Sequence, residues 1–236
     1  MMEDDHQHQQ RLPPAAYDLA IRLGANPALN RSTIRIRQTG RMKDIGAVKW
    51  RPFRATQTMA TRTCSFDWRA RFGPLGMIGV CDAYTDGEGQ LSVKALGFIP
   101  ILRAQSSVQL RRGELMRYLA ELAWAPDAIL LNTELRWRQD GPDILAVNAG
   151  SGETVAEIVF NLDSEGRIAG AFAPDRARSI KPPYLLTPWR GRFSDYRRHQ
   201  GLWIPFAGEV GWEIGGVNNI YFQGQIESWE ASSDSH

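Results

Sequence analysis

The sequence predicts a mainly β protein (α+β): a curved antiparallel sheet or incomplete β-barrel of about ten strands, with a helix packed on its concave side. Three observations lead there. Apolar and polar residues alternate along most of the chain, the period of a strand with one buried face. Short turns rich in glycine, aspartate and serine punctuate the alternation. One stretch, Gly113–Trp124, switches to a strong helical period amid the strands.

Taken in order, residues 1–11 read as a polar, disordered tail. Pro13–Leu23 reads as a short helix, with prolines at its start, Gly24 at its end, and Ala16, Leu19, Ala20 and Leu23 on one face. Ser32–Gly40 alternates, with Ile34 and Ile36 on one side and Arg35 and Arg37 on the other. Ala47–Ala60 and Cys64–Phe72 have aromatic and threonine-rich strand character. Met77–Tyr84 and Gln90–Phe98 flank a turn at Thr85–Gly89. Gly113–Trp124 places Leu115, Tyr118, Leu119 and Leu122 on one helical stripe and Glu114, Arg117 and Glu121 on another face, where they can pair. Pro126 is expected to end that helix. Strands resume at Glu134–Gln139, Ile144–Asn148, Thr154–Leu162 and Arg167–Ala173. Trp189–Arg198, Leu202–Glu213 and Asn219–Trp229 form a closing meander. No Ser/Gly-rich linker divides the 236 residues, so 12–230 reads as one domain, followed by a short tail at 231–236.

Composition narrows the function classes. A net charge of +2 predicts no anionic partner by itself, although nine basic residues and one acid fall between Arg31 and Arg62. Trp50 and Phe53 interleave with those bases as single-strand nucleic-acid binders require. The bases equally serve as solvated strand faces, and no nucleic-acid partner is expected. Met1–Gln10 lacks the basic start and apolar stretch of a signal peptide. No apolar run approaches the ~20 residues of a membrane span. These features predict a cytoplasmic protein with Cys64 and Cys81 as free thiols. The cysteines form no CxxC pattern, and the body of the chain holds one histidine, His199, in a polar turn. No metal site is therefore expected. Gly87-Glu-Gly89 and Gly150-Ser-Gly152 are too short to cradle a phosphate, and no cofactor is expected. Nothing in the sequence sets the oligomeric state.

Two sets of residues could carry function. Trp50, Trp68, Trp124, Trp189 and Trp212 are spread along the chain; they either fill the core or line a concave apolar pocket with polar groups at its mouth. Asp82 shares a strand face with Val80 and Tyr84, so it is either a buried acid paired with an arginine from a neighbouring strand or a general acid or base.

The motifs from Leu12-Pro13 through Arg35-Ile-Arg37, Trp50–Gln57, Phe66–Ala70, Asp82-Ala-Tyr84, Gly113–Glu121, Trp124-Ala-Pro126 and Pro188–Gly191 to Gly208–Trp212 together resemble an uncharacterised bacterial domain family. Its architecture looks like that of the lipoprotein-carrier proteins, an open β-half-barrel with helices plugging the concave side. The resemblance implies an apolar-ligand cavity by analogy of fold alone.

The first expectation is binding of a small hydrophobic molecule, aromatic or lipid-like. Trp50, Trp68, Trp124 and Trp212 would form the wall, and Arg54, Glu114, Arg117 and Glu209 the polar anchors. The alternative is a cofactor-free lyase, isomerase or hydrolase in the same cavity, using Asp82, Tyr84, Glu114, Arg117 and Glu209.

Overall fold

The computed structural model describes residues 12–179 and 181–233. The expected tail at 1–11 lies outside the described residues, as do 234–236. Residues 231–233, expected in a tail, instead complete the last strand.

Thirteen strands form one antiparallel sheet in the order β6-β5-β4-β3-β2-β1-β13-β12-β11-β10-β9-β8-β7. They are β1 (Arg31–Met42), β2 (Arg51–Ala60), β3 (Phe66–Phe72), β4 (Ile78–Thr85), β5 (Glu88–Ala95), β6 (Ile99–Arg103), β7 (Arg136–Gly141), β8 (Ile144–Ala149), β9 (Ala156–Leu162), β10 (Ile168–Ala177), β11 (Leu186–His199), β12 (Leu202–Ile214) and β13 (Val217–Ser233). Each strand follows its neighbour through a hairpin, with two exceptions. The first strand pairs with the last, and the connection from edge strand β6 to edge strand β7 crosses the concave side. That crossing carries α2 (Val108–Ala120), a 3-10 turn (Glu121–Trp124) and α3 (Pro126–Leu131); α1 (Pro14–Arg22) packs against α3.

The alternation explains which faces are dry. Phe53, Ala55, Gln57 and Met59 of β2 are buried while Arg54, Thr56 and Thr58 are exposed. Ile34, Ile36 and Gln38 do the same in β1. Bulges in β1, β10 and β13 interrupt the ladders, which is how a long sheet curls.

The count is thirteen rather than about ten. Part of the excess is β6: the strand expected at Gln90–Phe98 ends at Ala95, Leu96 and Gly97 both adopt positive φ, and the chain folds back into Ile99–Arg103, where no strand was expected. Helix α2 begins five residues before Gly113, capped by the Ser107 hydroxyl, which accepts from the Leu110 amide at 3.1 Å. Nor does Pro126 end the helical segment. Ala125 breaks it at φ −132°, and Pro126 opens α3, where a proline has no amide to lose. His199 lies at the end of β11, half-buried, its ring edge-on to Phe206 and Trp229, and not in a free polar turn.

Candidate functional site

Helix α2 lies across the concave face, but it does not fill it. Between its polar face and the strands remains a cavity of about 270 Å³. Its wall is aromatic: Trp124, Trp189, Phe193, Trp212, Tyr221 and Phe222 line it. Trp212 stacks on Tyr221 with centroids 6.0 Å apart, and Trp189 Nε1 donates to the Tyr221 hydroxyl at 3.1 Å. Trp124 is fixed by donating Nε1 to the Pro205 carbonyl at 2.8 Å and meets Phe193 edge-on. Gly208 makes room for it: a Cβ there would lie 3.3 Å from Trp124 Cζ2.

The floor is charged. Arg117 pairs with Asp82 of β4 and with Glu121 at 3.0 Å, and its guanidinium lies over the rings of Phe66 and Trp68, 4.9 Å from each centroid. Glu121 also accepts from Gln57 Nε2 at 2.5 Å. Burial would strip the charge from Arg117, yet the carboxylates of Glu121, Asp82 and Glu114 hold it firmly protonated. Glu114 is buried. Burial first, and the neighbouring Asp82 charge second, push its carboxyl well above the usual range.

The polar groups of this floor are not all satisfied. Among the described residues five buried side-chain polar atoms lack a hydrogen-bond partner, and three of them, Trp68 Nε1, Asp82 Oδ1 and Glu114 Oε2, belong to residues lining this cavity. Arg176 of β10 lines it too. Its guanidinium lies 4.5 Å over Trp189 and pairs only loosely with Glu114, whose Oε2 is 3.9 Å away. A protonated Glu114 leaves that cation without a charged partner.

Of the residues expected from sequence, Asp82, Glu114, Arg117, Trp68, Trp124 and Trp212 meet around this one cavity. Asp82 pairs with an arginine from the helix rather than from a neighbouring strand. Arg54 lies on the convex side, because the pleat that buries Phe53 and Ala55 turns it outward. Glu209 borders the cavity, but Gln223 Nε2 donates to its carboxylate at 2.6 Å, in a row with the exposed Arg41, so it anchors nothing inside. Tyr84 is buried beyond the cavity, and burial pushes its hydroxyl up to about 12, too high for acid–base work near neutrality. Trp50 sits outside, beneath Arg41 and Lys43, in a second apolar hollow of about 430 Å³ that shares Met42 and Val80 with the first.

Sequence reasoning left Arg176 and Tyr221 out, and gave Trp189 no place in the wall. The spacing Trp189, Gly191, Phe193 carries a legible signal, an alternating inward face. Arg176 carries none. Extending the inward face of Ala171 and Ala173 would place Asp175 inside, but a bulge between Ala173 and Arg176 shifts the register by one and puts Arg176 there instead. Among the described residues no group of three or more metal-ligating side chains comes together, and no helix is long and apolar enough to cross a membrane.

Comparison with known proteins places the chain. The model of a family of unknown function, DUF6920, matches residues 12–230, and the chain belongs to that family. Among solved structures, a DUF1329 family protein from Desulfovibrio piger superposes with a TM-score of 0.55 at 13% identity, covering 92% of each chain. A LolA superfamily protein from Nitrosomonas europaea does so at 0.52 and 9%, covering 93% of this chain and 94% of its own. A domain from Vibrio parahaemolyticus named for outer membrane lipoprotein sorting does so at 0.50 and 12%, covering 100% and 93%. These likenesses establish a shared open, curled β-half-barrel. No curated protein matches the chain.

Proposed function

We propose that this member of the family binds a small amphipathic molecule, its aromatic or lipid-like body against the tryptophan wall and an anionic head on the floor. The observation that carries the reading is the set of unmet polar groups at the bottom of an aromatic cavity. Trp68 Nε1 is a buried donor without an acceptor, and the Arg176 guanidinium meets its carboxylate partner, Glu114 Oε2, only at 3.9 Å. Buried polar groups are otherwise almost always paired. A carboxylate would accept from both donors and neutralise Arg176, whose own carboxylate neighbour is 3.9 Å away and pushed toward its neutral form by burial and by Asp82. Volume limits the guest. With ~30 Å³ for each water-sized group, 270 Å³ corresponds to on the order of ten non-hydrogen atoms. That is a medium-chain or single-ring acid.

Thermal unfolding in the presence of octanoate, cinnamate, octanol and octylamine tests this, with tryptophan fluorescence as a second readout. Octanoate or cinnamate at about a hundred times Kd should stabilise by ~2.7 kcal/mol, a Tm rise of several degrees. Octylamine should do nothing. Arg176→Met should abolish the preference for acids over octanol. No stabilisation by any of the four would sink the reading.

A second reading, acid–base chemistry on the same guest, is favoured by one observation: Asp82 and the buried Glu114 share the cavity floor, where burial and Asp82 push the Glu114 carboxyl well above its usual range. Such a pair is a ready proton donor and acceptor. Incubation of the guest that co-purifies with the protein, followed by mass spectrometry, tests it. A chemically unchanged guest would leave binding alone.

A further inference from the structure

The two ends of the half-barrel differ in chemistry. Register fixes which hairpins share an end: Met42 pairs with Arg51, Phe72 with Ile78, Ala95 with Ile99, Ala149 with Ala156, Ala177 with Leu186 and Ile214 with Val217, and the intervening ladders put these six turns at one end. Their tips expose large apolar side chains. Val48 is 92% exposed, Leu75 101% and Phe98 73%, and Leu96, Leu186 and Val217 are more than half exposed. The hairpin loops at the other end, 61–65, 86–87, 142–143, 163–167 and 200–201, contain no exposed large apolar residue and several acids, among them Asp86, Asp143, Asp163 and Glu165.

Two of the apolar tips are held out against local preference. Leu75 and Leu96 adopt φ of 55° and 52°, the left-handed region that suits glycine or asparagine and strains leucine. Gly76 and Gly97 stand beside them, so residues that relax such turns are present and a leucine still occupies each strained position. Neither leucine side chain is buried in this chain. Two exposed leucines at strained positions call for a partner outside the chain.

The charge around the tips says what. Lys43, Lys49, Lys94, Arg178 and Lys181 lie in or beside these loops. The loops of this end hold two acids, Asp44, already paired with Arg51, and the exposed Glu153, so the bases outnumber them. Trp50, half-buried beneath Lys43, adds an amphipathic ring of the kind that sits at headgroup level. Separate tips that together present apolar side chains and an excess of bases suit a fluid, negatively charged surface. We propose that this end docks on an anionic phospholipid bilayer, with Val48, Leu75, Leu96 and Phe98 entering the headgroup–acyl boundary and the lysines meeting phosphates. Both hollows include residues from this end, Met42 and Arg178 in the inner one and Lys43, Trp50 and Gly73 in the outer, so docking would bring them to the lipid. The docking itself requires no guest in the cavity.

Co-sedimentation of the full chain with phosphatidylcholine vesicles, with and without phosphatidylglycerol, tests this. The wild type should partition onto the mixed vesicles and much less onto pure phosphatidylcholine, and added salt should weaken it. The pair Leu75→Asn and Phe98→Ser should reduce partitioning at least tenfold, because two exposed anchors are removed. Asparagine suits the left-handed turn, so Tm should hold or rise in Leu75→Asn while binding falls. Lys43→Gln with Lys49→Gln should cost several-fold on anionic vesicles alone. The proposal is overturned by a wild type that ignores both vesicles, or by partitioning that the Leu75/Phe98 pair leaves intact. It is equally overturned if the same pair abolishes a concentration-dependent dimer in a chain that shows no vesicle binding, which would make the face a protein interface.

Discussion

Glu114 is the residue whose state decides the electrostatics of the cavity. As a carboxylate it would pair with Arg176 and repel Asp82; as an acid it leaves Arg176 free and can donate to the unmet Asp82 oxygen. Burial and Asp82 raise its folded value well above 4.5, the value the unfolded chain is expected to keep. A carboxyl raised in the folded state contributes stability that is complete below the unfolded value and is lost as pH climbs through the folded one. Wild-type stability should therefore fall with rising pH in that window, by up to about 1.4 kcal/mol per pH unit. Glu114→Gln keeps the shape and a donor but does not titrate. Its unfolding free energy in urea, compared with wild type from about pH 5 to 8, should gain on wild type as pH rises. Parallel curves would mean that Glu114 is ionised throughout, and the case for an anionic guest would lose its cation.

At the scale of elements, α2 does two jobs that need different faces. Leu115, Tyr118 and Leu119 bury one face in the core, and Glu114 and Arg117 line the cavity. The helix must also sit close to the sheet, and Gly89 of β5 sets that distance. A Cβ there would lie 3.1 Å from the Leu110 carbonyl and 3.2 Å from the Arg111 amide, both backbone atoms that cannot turn aside. Gly89→Val should therefore lift the start of α2 and cost ~1–3 kcal/mol in urea unfolding. An unchanged midpoint would show that the helix has slack at this contact. Much of this level was legible in the sequence. The pleat of β1 and β2 could be read directly, and the same alternation, followed through Phe53 and Ala55, already turned Arg54 away from the cavity. What was hidden were single-residue events with no compositional mark: the bulge that brings Arg176 inward, and the break at Ala125 that lets Pro126 begin a helix. The pairing of Glu114, Arg117 and Glu121 on one helical face was legible from spacing, but not that the face looks into a cavity instead of solvent. That depends on a crossing from β6 to β7 which no local pattern announces.

At the scale of the molecule, two meanders, β1–β6 and β7–β13, share one sheet only because the first strand pairs with the last, Arg31 opposite Ser233. Contacts this distant in sequence form late and need a clasp. Asp127, at the start of α3 on the crossing segment, provides it. Its carboxylate accepts from Arg31 Nε at 2.6 Å and Nη2 at 3.1 Å and from the Asn26 amide at 2.9 Å, while Arg31 Nη1 donates to the Gln200 carbonyl of the β11–β12 turn at 3.1 Å. One ion pair thus ties α1, β1, the crossing segment and the second meander, and both side chains are almost fully buried. A buried pair adds little over an apolar substitute, but half of one is costly, since the surviving charge has no solvent. Asp127→Ala should cost ~3–5 kcal/mol, a large share of the ~5–15 kcal/mol that holds a domain folded. The double variant Asp127→Leu with Arg31→Met removes both charges and should recover most of that loss. Urea unfolding of the wild type, both single variants and the double variant measures the coupling. A loss under ~1 kcal/mol in Asp127→Ala, or a double variant no better than the singles, would mean that the two meanders are joined by the β1–β13 ladder alone.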